Sequence, residues 1–214
     1  SRVATAPSMP ARRAPAPRWL MAVVALTVVT LGTGTAYLLL RGPAATMDSV
    51  AVLPFVAGGS GTETDYLTDG ITETLINGLA QLPDLRVAAR SVVFRYKGRD
   101  LDPQQIGRDL KVRAIVTGRV AARDGRLVIR AELMNVDTGA QLWGGQYDRP
   151  PADLLAVQEE IANEILDRLR PRLSGDDKKR ATKRYTENAD AYQLYLQGRY
   201  HWNKGTIAGY KAAI

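Results

Sequence analysis

The chain has 214 residues, 45% hydrophobic and 24% charged, which suits one globular domain of ordinary size with additional segments. It contains no cysteine, so disulfide frameworks and thiolate metal sites are excluded. The net charge of +7 is uneven, because five arginines and no acidic residue lie in the first 41 residues. The high pI of 9.8 therefore reflects a short basic flank and not a basic face that binds nucleic acid.

The N-terminal part predicts a linker followed by a membrane-spanning helix. Residues 1–18 are rich in Pro and Ala without any helical or strand period, which predicts an extended cytoplasmic linker. Residues 19–40 contain no charge and would be about 33 Å long as a helix, close to the hydrocarbon thickness of about 30 Å. Four arginines precede this segment and one follows it, so the N-terminus is predicted to be cytoplasmic. We expect one span of the inner membrane, bilayer contact through 19–40, and a periplasmic or extracytoplasmic C-terminal domain.

Two other interpretations of 19–40 are a cleaved signal peptide and a buried helix of a soluble domain. A signal peptide has a shorter apolar region, and a buried helix is rarely both apolar on every face and flanked by arginines. Gly32 with Ala36, and Thr30 with Gly34, have a spacing that permits close helix pairing, so a homodimer is possible.

The next segments predict a strand, a loop and a helix. Residues 50–55 form a short apolar run that ends around Pro54 and suits a buried strand. The glycines of 58–61 predict a loop. Asp69 or Thr68 is the predicted N-cap of a helix that ends at Pro83. Its buried face would contain Ile71, Leu75, Ile76, Leu79 and Leu82.

Further elements follow in the order expected of a mixed sheet. Residues 85–89 predict a second strand. Residues 92–96 either extend this strand or form a loop after it. Asp102 and Pro103 predict the start of a short helix. Strands are predicted at 114–122, from 127 to 134 after an Asp124-Gly125 hairpin turn, and at 141–147. A last helix is predicted from Pro151 to about Leu173, so the domain at 48–173 is α/β with the order β-α-β-α-β-β-β-α.

Several short motifs resemble the TolB N-terminal-like (FlgO-like) domain of bacteria over about residues 48–172. They agree in order and spacing: 52–55 (VLPF), 66–73 (YLTDGITE), 90–91 (RS), 94–98 (FRYKG), 106–107 (IG), 118–120 (GRV), 137–143 (DTGAQLW) and 147–149 (YDR). The resemblance implies a non-catalytic, extracytoplasmic module, which in that family often follows a transmembrane helix and precedes tetratricopeptide repeats. It also implies that a Ser/Thr protein kinase, a winged-helix domain or a nucleotide cyclase commonly lies upstream. The loop at 58–62 departs from the family pattern.

The C-terminal part predicts a hinge and an incomplete repeat. Residues 174–185 are charged and contain Gly175, which predicts a hinge. Residues 188–202 are amphipathic and aromatic-rich and resemble the first helix of a tetratricopeptide repeat, with Gly198 at the small position where a second helix packs. That second helix would begin at Tyr210 after a lengthened turn through 204–206, and 186–214 would be one incomplete repeat. Because the chain starts at Ser1 and ends within this helix, we expect it to be part of a longer protein.

The sequence motifs predict no catalytic, cofactor-binding or metal-binding residue. The loop at 58–61 lacks the ending of a P-loop and the spacing of a dinucleotide fingerprint. His201 is the only histidine, and kinase signature motifs are absent from the sequence. We interpret the remaining candidates as solvated or structural side chains: the carboxylates at 159–160 and 176–177, the pair at 148–149, and Trp143.

The first functional hypothesis is a non-catalytic sensing region that binds a protein or peptide outside the cytoplasm, as the C-terminal part of a transmembrane Ser/Thr protein kinase. The alternatives are the same region of a membrane-tethered winged-helix regulator or nucleotide cyclase, or an envelope scaffold. An enzyme within this fragment would need a convergent set of reactive groups, and the sequence does not supply one.

Overall fold

The computed structural model describes residues 47–59, 62–171, 173–183 and 186–214. The predicted linker at 1–18 and the predicted membrane helix at 19–40 lie outside these residues. Among the described helices, none combines the length and the apolar character that a membrane span requires.

A six-stranded mixed sheet forms the core of the part of the chain that the structure describes. Five strands follow the order β3-β1-β4-β5-β6, and β2 pairs with β4 as a continuation of β1. β1, β2 and β3 run parallel to their neighbours, whereas β4, β5 and β6 form an antiparallel meander. The strand bounds are β1 Ser49–Val52, β2 Val56–Ala57, β3 Arg86–Val87, β4 Ala114–Arg123, β5 Arg126–Asn135 and β6 Gln141–Arg149.

The first strand, predicted at 50–55, ends at Val52, and after a bulge at Pro54 the pairing with β4 resumes in β2. Val52 pairs with Val116 and Val56 pairs with Arg119, so β4 has one residue fewer than the first strand across this interval. Proline has no N–H for the ladder, and an extra residue reverses which face the following side chains occupy. Val56 is therefore turned outward and is 54% exposed, whereas Phe55 is buried against the backbone of Gly118.

The described residues form seven helices in addition to the sheet. α1 and α4 pack together on one face, and α3 packs against β4, with Gly107 in contact with Val136. The helix bounds are α1 Thr62–Leu79, α2 Arg90–Val93, α3 Pro103–Asp109, α4 Leu154–Leu169, α5 Gly175–Ala181, α6 Ala189–Trp202 and α7 Ile207–Ala212. Short 3-10 turns occupy Phe94–Tyr96 and Pro151–Asp153.

The predicted α/β class and the order of the main elements are confirmed, and several local predictions hold. Asp102 caps α3 by accepting from the N–H of Gln104 at 3.0 Å. Asp124 and Gly125 both have positive φ, 52° and 73°, as a two-residue hairpin turn requires. The alternation along β5 also holds, because its inward residues Leu127, Ile129, Ala131 and Leu133 are all buried.

Other predicted boundaries are wrong. α1 begins at Thr62, so neither Thr68 nor Asp69 is an N-cap; Asp69 lies inside the helix and pairs with Lys97 at 2.5 Å. Residues 90–96 form α2 and a 3-10 turn instead of a strand or loop. The final helix of the domain starts at Leu154 and ends at Leu169, after a 3-10 turn at Pro151.

The C-terminal helices belong to the same compact unit as the sheet. The segment predicted as a hinge contains α5, whose Ala181 carbonyl lies against Gly78 of α1. α6 packs along α1, and α7 begins at Ile207 instead of Tyr210 after Gly205, which has a φ of 62°. Gly198 of α6 does lie close to the end of α7, since a Cβ at this position would be 3.2 Å from the carbonyl oxygen of Ala213. Whether α6 and α7 form part of a tetratricopeptide array, and the predicted domain boundaries, stay predictions.

Candidate binding surface

The two faces of the antiparallel strands have different surroundings. Side chains alternate between the faces of a strand, so the residues that β4 and β5 pair across the hairpin share one face. Val116 and Leu133 point inward and are fully buried beneath the helices. Thr117 with Glu132, and Arg119 with Arg130, point outward, and all four are exposed or only partly buried.

Only one half of the outer face is open. Ile115 and Val116 are adjacent and point to opposite faces, yet both are fully buried, so both faces are covered where β4 begins. From Thr117 onward the outward residues become accessible. On β6 the corresponding position is Gly144, and the amide of Gln141 occupies the space beside its Cα. We call this region, from Thr117 toward the hairpin, the open half of the sheet.

The open half contains a concavity of about 550 Å³. Its lining includes one exposed aliphatic side chain, two arginines, one carboxylate, one amide and a glycine: Val56, Arg119, Arg130, Glu132, Gln146 and Gly144. At its rim, β6 pairs only with β5 among the described residues, so the outer edge of β6 is unpaired there. A shallow surface that borders an unpaired strand suits a polypeptide better than an enclosed small molecule.

The polar groups of the open half are only partly satisfied by one another. Arg130 donates from Nε to Oε1 of Gln146 at 2.9 Å, and Thr117 donates to Oε1 of Glu132 at 3.3 Å. Closer to the hairpin, Arg126 donates to Asp148 at 2.5 Å. Neither Arg119 nor Arg130 forms an ion pair within the part of the chain that the structure describes. The centre of the concavity is therefore positive.

The inner face opposite this concavity is tightly packed. Trp143 is 8% exposed and donates its indole N–H to Glu164 of α4 at 2.5 Å, as expected of a core tryptophan. Tyr147 lies beside it in the same strand, and burial, followed by the negative charge of Glu164, raises the pKa of its hydroxyl. These contacts fix the strands whose outer face forms the concavity.

A second polar cluster joins α1 to α6. Glu73 of α1 accepts from Arg90 at 3.2 Å and from Arg199 of α6, and its side chain is 13% exposed. Arg90 stacks on Phe94 at 3.9 Å, and burial lowers its pKa, although the charge of Asp69 opposes that shift. Because Glu73 accepts from arginines of two different helices, we interpret the cluster as an internal contact that holds these helices together.

The structure separates the side chains that the sequence offered as candidates for chemistry. Gly58 donates its N–H to the carbonyl of Val120 at 2.6 Å, so it continues the strand pairing of β2. His201 is on α6 and contacts the ring of Tyr200 edge-on at 5.5 Å. Among the described residues, no group of His, Asp and Glu could hold a metal ion.

The carboxylate pairs are also placed apart from one another. Asp148 of β6 pairs with Arg126 of the neighbouring strand β5 at 2.5 Å. Asp176 and Asp177 lie in the first turn of α5, and Asp177 pairs with Arg180 at 3.8 Å. Glu159 and Glu160 lie on α4.

Arg119 and Arg130 were missed at the level of sequence, although a signal for them exists. Each lies five residues from the Asp124-Gly125 turn, one before it and one after it. A two-residue turn fixes the register of both strands, so these arginines must be direct cross-strand neighbours.

No protein-family model matches the chain. It is similar to a protein of Rhizobium meliloti (strain 1021) described as putative adenylate cyclase 3, with 36% identity over 151 residues. The match covers 71% of this chain and 26% of the relative, so the chain spans about a quarter of that protein.

Solved structures of three bacterial proteins show partial likeness to the chain. TolB from Acinetobacter baumannii has a TM-score of 0.43 at 11% identity, covering 57% of this chain and 28% of that one. Lipoprotein GNA1162 from Neisseria meningitidis has a TM-score of 0.42 at 17% identity, covering 57% and 99%. Escherichia coli LpoB has a TM-score of 0.39 at 16% identity, covering 70% and 83%.

Proposed function

We propose that this chain is a non-catalytic, protein-binding region of a single-pass bacterial membrane regulator, located outside the cytoplasm. The observation that carries the proposal is the open half of the sheet. There an accessible concavity of about 550 Å³ lies on strands whose other face is fully packed. Such an arrangement provides a rigid platform with unsatisfied polar groups, which is what recognition of a polypeptide needs.

The output of this regulator is, in our proposal, a nucleotide cyclase domain on the cytoplasmic side. The sequence alone favours a Ser/Thr protein kinase as the output, with a cyclase among the alternatives. The relative described as a putative adenylate cyclase supports the cyclase alternative, because it matches most of this chain and is much longer. A kinase or a winged-helix output would be recognised by its own motifs in the full-length sequence.

Photo-crosslinking in cells tests the binding function. A benzoyl-phenylalanine placed at position 56 of the full-length protein would lie in the concavity, since Val56 is 54% exposed there. The matched control is position 95, an exposed residue of the 3-10 turn at Phe94–Tyr96. We expect ultraviolet light to give a discrete protein adduct from position 56 and none from position 95. Equal adducts from both positions, or none from position 56, would contradict a binding role for the open half.

Topology and output are tested separately. A periplasm-dependent phosphatase fused after Ile214 should be active, and a fluorescent protein that folds only in the cytoplasm should be dark. Deletion of residues 47–214 from the full-length protein should change the cellular level of cyclic AMP. An active cytoplasmic reporter after Ile214 would refute the proposed location, and unchanged cyclic AMP in all growth conditions would refute the proposed coupling to a cyclase.

A further inference from the structure

We propose that the open half of the sheet binds an extended acidic segment of a partner protein, whose carboxylates are held by Arg119 and Arg130. This inference rests on the proposed protein-binding function and names the chemistry of the partner. It begins from the position of the two arginines, which pair directly across β4 and β5 and share the outward face.

The arrangement of these arginines is unfavourable without a ligand. Like charges that lie directly opposite each other in a sheet repel and destabilise the pair. Both side chains are exposed, and neither has an acidic partner in the described part of the chain. By contrast, Arg126, four residues before Arg130 on β5, is neutralised by Asp148 at 2.5 Å. Arg119 and Arg130 thus lack an acidic partner, although Arg126 nearby has one. This difference indicates that the two arginines bind an anion.

The geometry favours carboxylate recognition. The Nε of Arg130 is held by Gln146 at 2.9 Å, which orients the guanidinium while its terminal nitrogens make no hydrogen bond to a described residue. An oriented guanidinium offers a planar fork that matches both oxygens of a carboxylate. Arg119 is the immediate neighbour of that fork, so one carboxylate can contact both cations or two successive acids can contact one each.

The surroundings favour a polypeptide over a polyanion such as nucleic acid or an anionic membrane. Val56 pairs in register with Arg119 and leaves an exposed aliphatic patch beside it. Glu132 lies on the same outward face and would repel a continuous row of phosphates. In an extended peptide that alternates acidic and apolar residues, all the acids face the arginines, and the peptide backbone lies beside Val56.

Fluorescence anisotropy tests this inference with the full chain purified in a neutral detergent. The probe is a labelled seven-residue peptide in which valine and glutamate alternate, and its control has lysine at each glutamate position. We expect binding of the glutamate peptide only, with affinity that falls as salt rises. Arg119→Glu/Arg130→Glu should weaken binding at least about tenfold, since each arginine contributes a charge-assisted hydrogen bond.

Matched variants separate a specific site from general charge. Arg95→Glu removes an exposed positive charge outside the concavity and should leave the affinity unchanged. Arg119→Lys/Arg130→Lys keeps the charge but loses the fork, and should bind with intermediate affinity. The inference is overturned if the Arg95 variant loses as much affinity as the arginine-pair variant. It is also overturned if single-stranded DNA or phosphatidylglycerol vesicles bind through Arg119 and Arg130 while the glutamate peptide does not.

Failure of this inference differs from failure of the proposed function. A protein adduct from position 56 in cells, together with no binding of the glutamate peptide, would retain a protein-binding surface and reject acidic recognition. Absence of both would reject the two together.

Discussion

The contact between Leu196 and Gly70 determines how firmly α6 is bound to the α/β domain. Leu196 is 3% exposed, and a methyl group added to Gly70 would lie 2.6 Å from its Cδ2 atom. Leu196→Ala removes three buried carbons, worth about 0.8 kcal/mol each, and leaves a cavity that collapses only in part. We expect the free energy of unfolding to fall by about 3 kcal/mol.

The complementary change at Gly70 makes this expectation specific to the contact. Gly70→Ala gains about 1 kcal/mol of helix propensity in α1, but it overpacks the space that Leu196 occupies at a cost of about 1–3 kcal/mol. In the double variant the new methyl group fills part of the cavity left by the lost leucine. The double variant should therefore lose about 1–2 kcal/mol less stability than the sum of the losses in the two single variants.

Urea unfolding of the full chain, followed by circular dichroism, measures these free energies. Leu194→Ala is the control, because Leu194 is on the same helix and 67% exposed, and its truncation should cost no more than about 0.5 kcal/mol. The reasoning is refuted if the Leu196 variant loses no more stability than the Leu194 variant. Costs that add within about 0.5 kcal/mol would also refute it, because they would show that the two residues do not share one space.

Three further predictions concern stability. Gly118→Ala should lower the free energy of unfolding by about 1–3 kcal/mol in urea titrations, because a Cβ there would overlap the ring of Phe55; an unchanged midpoint would contradict that packing. Burial raises the pKa of Tyr147 and of Tyr192, so both hold their protons more tightly in the folded state. The free energy of unfolding should therefore fall as pH rises above about 10, and Tyr147→Phe/Tyr192→Phe should flatten that fall; an equally steep decline in the variant would count against it. Glu73→Gln should lower the free energy of unfolding by about 1–2 kcal/mol, because it removes the charge of the carboxylate that pairs with two partly exposed arginines. A loss of stability that is equally large in high salt would contradict this explanation.

Local signals in the sequence predicted local structure well. The Asp124-Gly125 turn, the alternation along β5 and the cap at Asp102 depend on residues only a few positions apart. The turn needs a positive φ, the strand has one buried face, and the cap satisfies a free N–H of the helix. Each of these causes lies within the segment itself.

The errors arose where the deciding partner is distant in sequence. The bulge at Pro54 is visible only against β4, whose register shows one residue fewer. Asp69 was predicted to cap α1 because it precedes the apolar face, but the helix continues back to Thr62 and the Asp69 carboxylate pairs with Lys97. Similarly, residues 175–181 are charged, and only burial of Ala181 against α1 reveals a packed helix in the predicted hinge.

The candidate binding surface could have been predicted in part. The hairpin turn fixes Arg119 opposite Arg130, so the like-charged pair was available from the sequence. The concavity around the pair was not, because it depends on Val56, which the bulge turns outward, and on Gln146 of a different strand. A site assembled from four strands requires the pairing of all of them.

Helix α1 links the sheet to the C-terminal helices through small side chains spaced four residues apart. Leu196 packs against Gly70, and the hydroxyls of Thr74 and Tyr192 are hydrogen-bonded at 2.8 Å. Gly78 lies against the carbonyl of Ala181. The Tyr192 hydroxyl also donates to Gln158 of α4 at 2.7 Å, so α1, α4 and α6 share one buried hydrogen-bonded chain. Because buried polar chains of this kind are costly to break, α6 should move together with the helices that support the sheet. A partner bound on the open half would then act on α6 through a packed connection, and the Leu196 and Gly70 variants would weaken that coupling without touching the arginines.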